Sequence, residues 1–170
     1  MSGANDREPS LTERTKRVLE EAKYLSLSTV APDGKPWSAV MQYAWLPEPL
    51  RFLFGSATRS RHSAHIVANP SIAGSLYIAG NGELTAVDGG QFTGTCRELT
   101  EEEVRRHHGT FYDALLPDEE SRAEYTLPIE RLVAPADHRI YQITVDRLWL
   151  IDTSTWIEDR IDRRVEVELP

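Results

Sequence analysis

The densest group of side chains suited to binding or catalysis occupies five consecutive positions: Thr58, Arg59, Ser60, Arg61 and His62. The group directly precedes a predicted helix, and the first backbone N–H groups of a helix attract anions. Guanidinium groups add planar donors that match phosphate oxygens. A solvated surface loop can have the same composition. Because the cluster is compact and the protein is acidic, the phosphate-site and surface-loop interpretations are about equally supported.

Two other segments carry weaker signals. The paired glycines Gly89 and Gly90 indicate a β-bulge, which either redirects Gln91 toward a ligand or has no ligand at all. His107 and His108 are adjacent on a predicted helix and so point about 100° apart. This excludes the shared metal that an i, i+4 pair allows, and we expect both to be surface residues. No metal site is predicted.

Six strands and three helices are predicted as the framework that positions these residues. Ser10 and Glu13 form a capping-box pattern that begins the first helix, and alternation from Leu25 begins the first strand. Residues 115–136 carry three prolines and little periodicity, and we expect them to run over the surface. The predicted helices cover residues 11–23, 61–68 and 101–114, and the predicted strands cover residues 24–30, 37–43, 50–54, 71–79, 84–99 and 139–150.

The order of these elements predicts the fold class. Strands joined by hairpins, with helices only at the margins, are typical of a mainly β (α+β) antiparallel barrel. We expect one domain over residues 10–151, a disordered tail over residues 1–9 and a charged C-terminal extension over residues 152–170.

Composition limits the possible partners. The 170 residues include 27 acidic and 19 basic side chains, for a net charge of −8. This charge argues against nucleic acid and anionic membranes as partners, because no excess of cations is available to neutralise phosphates. The single cysteine, Cys96, allows no internal disulfide and favours a reducing, cytoplasmic compartment. No apolar run is long enough to span a membrane, and the first residues lack a signal-peptide core.

An ordered set of short motifs identifies a family. The sequence resembles the FMN-binding split-barrel superfamily, the pyridoxamine 5′-phosphate oxidase-like proteins, and within it a subgroup of unsettled activity. Each motif alone is degenerate, but the ordered set is fairly specific. The matching pieces are LSLSTV at 25–30, PDGKP at 32–36, SAVMQY at 38–43, SRH at 60–62 with IVANP at 66–70, and QFTG at 91–94.

This resemblance implies a more detailed architecture and site. It implies a six-stranded antiparallel split β-barrel with Greek-key topology, a homodimer, and a cofactor at the subunit interface. The phosphate would be held by the 58–62 segment, above all by Ser60, Arg61 and His62. The flavin ring would be lined by Val40, Met41 and Gln42 and reached by Gln91.

Two departures from the family pattern affect the expected function. The lysine of the family motif is His62 here, so the phosphate grip gains this charge only when the imidazole is protonated, and binding would weaken as the pH rises. The arginine and lysine that the family's vitamin B6 oxidases carry after the PDGKP turn are replaced by WSAVMQ at 37–42. We therefore do not expect oxidation of vitamin B6.

The function that these observations favour is an FMN-dependent oxidoreductase. It would transfer a hydride or electrons between a reduced nicotinamide or a small organic substrate and the flavin. Catalytic residues are not assigned, and Tyr43 and His62 are the only acid–base candidates. Three alternatives stay open: a deazaflavin F420 protein, a haem protein with an axial His107, His108 or His138, and a non-catalytic flavin-binding module. A fold that only mediates association is a further possibility.

Overall fold

The structure is a single antiparallel sheet with helices at its margins. The computed structural model describes residues 9–78, 88–152, 156–161 and 163–169. In these residues the strands follow the order β2-β1-β5-β6-β7-β4-β3, and β8 pairs with β7. The strands are β1 Tyr24–Val30, β2 Pro36–Gln42, β3 Ala44–Leu46, β4 Arg51–Ala57, β5 Ser71–Ile78, β6 Asp88–Glu98, β7 His138–Asp152 and β8 Arg163–Val167. The helices are α1 Leu11–Glu21, α2 Arg61–Ala68, α3 Glu101–Leu115, α4 Glu119–Tyr125 and α5 Trp156–Asp159.

The predicted split barrel is confirmed, but the described chain holds eight strands rather than six. The additional strands are β3 and β8. β3 is only three residues long and is followed by a proline-containing turn, so no alternation reveals it. β8 lies in the charged segment expected as an extension. It pairs with Leu148–Asp152 of β7, on the same edge of that strand where β4 pairs with His138–Thr144. The domain boundaries stay a prediction.

The main core lies on the concave face of the curled sheet. Successive residues of a strand face opposite sides, and in β1 Leu25 and Leu27 point inward while Ser26 and Ser28 do not. Phe52 packs edge-on between Tyr43 and Phe92 at the centre of this core. A second apolar cluster, which includes Leu53, Val104, Phe111 and Ile140, joins α3 to the other side of β4 and β7. No described helix is long and apolar enough to cross a membrane.

Helix α1 is fixed to the sheet by a buried carboxylate. Asp88, at the start of β6, accepts bonds from Arg14 at 2.8 Å and Arg17 at 2.6 Å. Burial would raise the pKa of Asp88, but the two guanidinium groups outweigh it and lower that pKa. The Ser10 and Glu13 capping box is present as predicted and begins the helix one turn before this contact.

The bulge lies at a different glycine from the one expected. The ladder between β6 and β7 shifts register between Thr93 and Gly94, whereas Gly89 and Gly90 continue the regular pairing with β5. A Cβ on Gly94 would lie 2.2 Å from the Thr144 carbonyl oxygen, so only glycine allows this approach. Residues 84–87 of the predicted strand lie outside the described residues.

Residues 115–136 contain more regular structure than expected. Asp118 caps the short helix α4, and a single 3₁₀ turn follows at Ile129–Arg131. The segment also covers α3, because the imidazole Nε2 of His108 lies 2.8 Å from the Leu127 carbonyl oxygen. His107 and His108 are therefore half-buried rather than fully exposed surface residues.

Candidate functional site

The first turn of α2 is held in place by a chain of hydroxyl groups. Ser60 caps the helix by accepting from the Ser63 N–H at 3.2 Å, and its hydroxyl donates to Ser63 Oγ at 2.8 Å. Ser63 donates in turn to the Ala57 carbonyl, and Ser56 donates to Ser60 Oγ at 3.2 Å. The Ser60 hydroxyl proton is therefore used inside the helix cap. An anion at this turn would therefore be bound by its backbone N–H groups and basic side chains instead.

His62 points into the protein at the end of this hydroxyl chain. Its Nε2 lies 2.6 Å from Ser56 Oγ, and the side chain is only 8% exposed. Which of the two atoms donates this bond depends on the tautomer of the imidazole. Burial, together with the neighbouring His65, lowers the pKa of His62, so the imidazole is neutral at physiological pH. His62 thus does not supply the protonated group that the sequence analysis considered.

The basic side chains of the segment are Arg59 and Arg61, and both are exposed. The Arg61 guanidinium carbon lies 4.2 Å from the centroid of the Trp37 ring, which is a cation–π contact with β2. The Arg59 guanidinium lies 4.0 Å from Asp137, too far for a strong ion pair at an exposed position. The Thr58 N–H donates to the Asp137 carbonyl at 2.8 Å and fixes the loop.

The three residues predicted on β2 lie on opposite faces of that strand. Val40 and Gln42 are exposed on the convex face, whereas Met41 packs against the main core. Gln42 is also engaged elsewhere, because its Nε2 donates to the Leu115 carbonyl at 3.0 Å and so contacts the end of α3. A single planar ligand on one face of β2 would therefore not contact all three side chains equally.

Gln91 is distant from the first turn of α2 in a single chain. It lies on the convex face of β6, where its Oε1 accepts from Arg164 Nε at 3.0 Å. Strand register aligns a row of side chains across this face. The row runs through Val40, Ser26, Ser75, Gln91, Trp149 and Glu166. Val40 and Gln91 are three strand spacings apart, which is about 14 Å.

The structure therefore separates the predicted site into two groups, and Met41 belongs to neither because it packs against the main core. Thr58 to His62 form one cluster beside Trp37, while Val40, Gln42 and Gln91 belong to the convex face. The sequence analysis missed Ser56 as the partner of His62 and Trp37 as the partner of Arg61. Ser56 is close to the Thr58–His62 segment along the chain, whereas Trp37 is more than twenty residues away and carries no such signal. Tyr43 is a core residue whose hydroxyl donates to the Leu19 carbonyl, and burial raises its pKa, which removes it as an acid–base candidate.

This fold and site define a split-barrel protein with a short capped helix, flanked by exposed arginines, beside the open edge of the sheet. The sequence profile of the pyridoxamine 5′-phosphate oxidase family matches residues 11–152. The chain belongs to this family, as the motifs predicted. No curated protein sequence matches the chain.

Solved structures with this fold are described as binding different cofactors. A haem-binding protein from Mycobacterium smegmatis matches with a TM-score of 0.70 and 14% identity over 95% of this chain and 59% of that one. This chain thus spans less than two thirds of that protein. A FAD-binding protein from Mesorhizobium loti matches with a TM-score of 0.61 and 18% identity over 85% and 95% of the two chains. The haem storage protein HutZ from Vibrio cholerae matches with a TM-score of 0.60 and 15% identity over 82% and 94%.

Proposed function

We propose that this chain binds FMN through the first turn of α2 and acts as a flavin-dependent oxidoreductase in a reducing, cytoplasmic setting. The observation that carries the proposal is the exposed pair Arg59 and Arg61 at a capped helix start. The first N–H groups of a helix have no intrahelical partner, so residues 61 and 62 offer donors to the same phosphate. Charge-assisted bonds from guanidinium groups add the stronger part of the affinity.

The site also fits a flavin only if a second chain contributes to it. Gln91 and Val40 lie on the convex face, away from the Arg61 cluster, so one chain does not surround a three-ring ligand. We therefore propose a homodimer in which the partner covers this face. Tyr24, Val40 and Tyr77 are exposed around a recess of about 700 Å³ on the same face, and such an apolar patch favours association.

The chain's own residues have limited roles in this proposal. When bound, the flavin would supply hydride or single-electron transfer with a reduced nicotinamide or a small organic substrate. The basic side chains and backbone N–H groups of α2 would anchor the phosphate, and the convex faces would exclude water. His62 would keep the helix start in place through Ser56 rather than move a proton.

An absorbance spectrum tests the proposal directly. The protein is examined as purified and again after addition of FMN and desalting. Retained flavin bands support the cofactor, and their bleaching by NADH or NADPH without oxygen supports the oxidoreductase. Flavin bands that neither donor bleaches would favour a non-catalytic flavin-binding module. A colourless protein that retains no FMN would contradict the proposal.

Haem is the second candidate, because two solved structures with this fold are described as haem-binding and haem-storing. An axial histidine must be accessible. Of the described histidines, His62 and His65 are buried and hydrogen-bonded, His107 and His108 are half-buried, and His138 is exposed opposite Ala57. A Soret band after haem addition that is lost in His138→Ala would support this function, whereas a band unchanged in that variant would not.

A further inference from the structure

A pocket with apolar walls lies between α1, the turn that joins β3 to β4, and the end of β8. Its volume is about 420 Å³, which is within the usual range for small-molecule sites, about 300–1,000 Å³. Its walls include Leu19 and Leu50, which are buried, and Trp45 and Leu169, which are partly buried. We call it the Trp45 pocket. The residues assigned above to flavin or to the homodimer do not line it.

Strand β7 leaves room for this pocket at the point where it changes partners. One edge of β7 pairs with β4 up to Thr144 and with β8 from Leu148 onward. At the same point its pairing with β6 skips Asp146, and an extra residue of this kind bends a strand and disrupts its ladder. The start of β4 and the end of β8 therefore stay apart along β7. Leu50 and Val167, from the two sides of this gap, both line the pocket.

The rim of the pocket carries more negative than positive charge. Glu48 and Glu168 are exposed there, and neither forms an ion pair with a residue that the structure describes. Lys16 is the cation among the described lining residues, and its Nζ lies 3.8 Å from Glu20 Oε1 on the same helix. Because the two carboxylates are uncompensated, the rim favours a positively charged ligand, as does the total charge of −8.

Trp45 favours an organic cation over an inorganic one. The quadrupole of an indole ring attracts ammonium groups, and the attraction is strongest where water is excluded. The Trp45 ring is partly buried and packs against the main core. The apolar walls around it match a hydrocarbon body, because the apolar surface of the ligand is then removed from water. A ligand with both a hydrocarbon body and an ammonium group therefore matches the walls and the rim together.

We infer that the Trp45 pocket binds a small apolar amine in its protonated form. The hydrocarbon body lies between Leu19, Trp45 and Leu50, and the ammonium group lies toward Glu48 and Glu168. This inference goes beyond the proposed function, because it assigns a second ligand site that shares no residue with the first.

Calorimetric titration of the full chain with phenethylamine tests the inference. The comparison ligands are phenethyl alcohol, which has the same body without a charge, and phenylpropanoate, which carries a carboxylate. We expect saturable binding of the amine, at least about threefold tighter than binding of the alcohol, with the carboxylate weakest. Absence of saturable amine binding would overturn the inference. An alcohol or a carboxylate that binds as tightly as the amine would also overturn it.

Removal of the two carboxylates locates the ammonium group. With Glu48→Gln and Glu168→Gln combined, phenethylamine should bind no more tightly than phenethyl alcohol, and the affinity for the alcohol should be unchanged. The matched control is Glu124→Gln, because Glu124 is exposed on α4 and does not line the pocket. A preference for the amine that persists in the double variant would overturn the inference.

Substitution of Trp45 locates the hydrocarbon body. Trp45→Ala should weaken the amine and the alcohol together by at least about threefold, whereas Trp45→Phe should retain most of the binding of both. Undiminished binding in Trp45→Ala would overturn the inference. The glutamate variants change only exposed side chains, so they keep the test decisive even when Trp45→Ala misfolds.

A competition experiment separates this pocket from the proposed flavin site. The affinity for phenethylamine should be the same with and without saturating FMN, because the two ligands contact different residues. Displacement of the amine by FMN would overturn this inference. Retained FMN without binding of phenethylamine overturns only this inference, and binding of phenethylamine without any retained FMN overturns only the proposed function.

Discussion

Arg61 and His62 are neighbours in sequence, but the fold gives them opposite environments. Arg61 is exposed and stacks on Trp37, while His62 is buried and bonded to Ser56. A helix rotates about 100° per residue, so adjacent side chains at its start face different surroundings. The positive charge available to an anion at the start of α2 would therefore come from Arg61 and from Arg59, which precedes the helix.

Removal of the Arg61 guanidinium tests this assignment. Arg61→Ala should weaken FMN binding by at least about 2 kcal/mol, because a charge-assisted phosphate bond is lost. Arg105→Ala is the matched control, since Arg105 is also exposed but pairs with Glu101 on α3. Fluorometric or calorimetric titration measures both affinities. Equal affinity in Arg61→Ala and the native protein would rule out the phosphate assignment.

The lowered pKa of His62 predicts how stability depends on pH. The unfolded chain binds the proton more readily than the folded one, so stability is complete at high pH and decreases as the pH falls through the usual histidine range. His62→Gln keeps a polar side chain that can bond to Ser56 but cannot titrate, so it should reduce this decrease. Urea unfolding at several values between about pH 5 and pH 8 measures it. His107→Gln is the comparison, because burial and nearby arginines also lower the pKa of His107.

A steeper loss of stability in His62→Gln than in the native protein would contradict the buried neutral histidine. Because His62 is buried and its pKa is lowered, loss of its proton should not weaken FMN binding as the pH rises. The motif alone predicted weaker FMN binding at higher pH. The sequence identifies a histidine at this position but not the side chain to which it bonds. Ser56 belongs to the preceding strand, and the short turn between β4 and α2 brings its Oγ within 2.6 Å of His62 Nε2.

Among the strands, regular alternation of apolar and polar residues was the reliable signal of strand position. The predicted limits of β1 agree with the structure because Leu25 and Leu27 alternate with serines. β8 carries mostly charged residues and gains its place from pairing with β7, so its pattern gave no indication of a strand. The bulge was predicted at Gly89 and Gly90 but lies at Gly94. The sequence does not show which glycine a neighbouring strand backbone approaches most closely.

Gly94 offers the sharpest test of this part of the sheet. Gly94→Ala should destabilise the protein by about 3 kcal/mol or more, because the new Cβ would lie 2.2 Å from the Thr144 carbonyl oxygen. Gly109→Ala is the matched control, since nothing lies within 4 Å of its added Cβ in the middle of α3. That change should stabilise the protein by about 0.5–1 kcal/mol. Chemical unfolding distinguishes the two, and a neutral Gly94→Ala would contradict the described register shift.

The proposed homodimer depends on the convex face of the sheet. Exposed apolar side chains lie there, and Val40 is 71% exposed although it lies in a strand. A family motif locates such residues along the chain, but not which copy of the protein completes the site. The sequence could therefore predict the fold and the position of helix α2. It could not predict that Gln91 lies three strands away from Val40.

A charge introduced on this face tests the proposed homodimer. Val40→Glu should weaken dimerisation at least about tenfold, because a carboxylate would be buried against the partner. Val67→Glu is the control, since Val67 is 84% exposed on α2. Both variants should keep the native fold of the single chain. Sedimentation velocity over a dilution series measures association, and a native protein that stays monomeric with bound flavin would rule out the shared site.

The contact between Arg61 and Trp37 also gives the protein a built-in optical reporter. Indole emission responds to the charge and polarity around the ring, and here a guanidinium lies 4.2 Å from the ring centroid. A ligand that draws Arg61 away would change that emission in the native chain. The sequence contains four tryptophans, so a spectrum of Trp37→Phe subtracted from that of the native protein isolates the signal. Arrival of an anion at α2 can then be timed in a stopped-flow instrument without any attached dye.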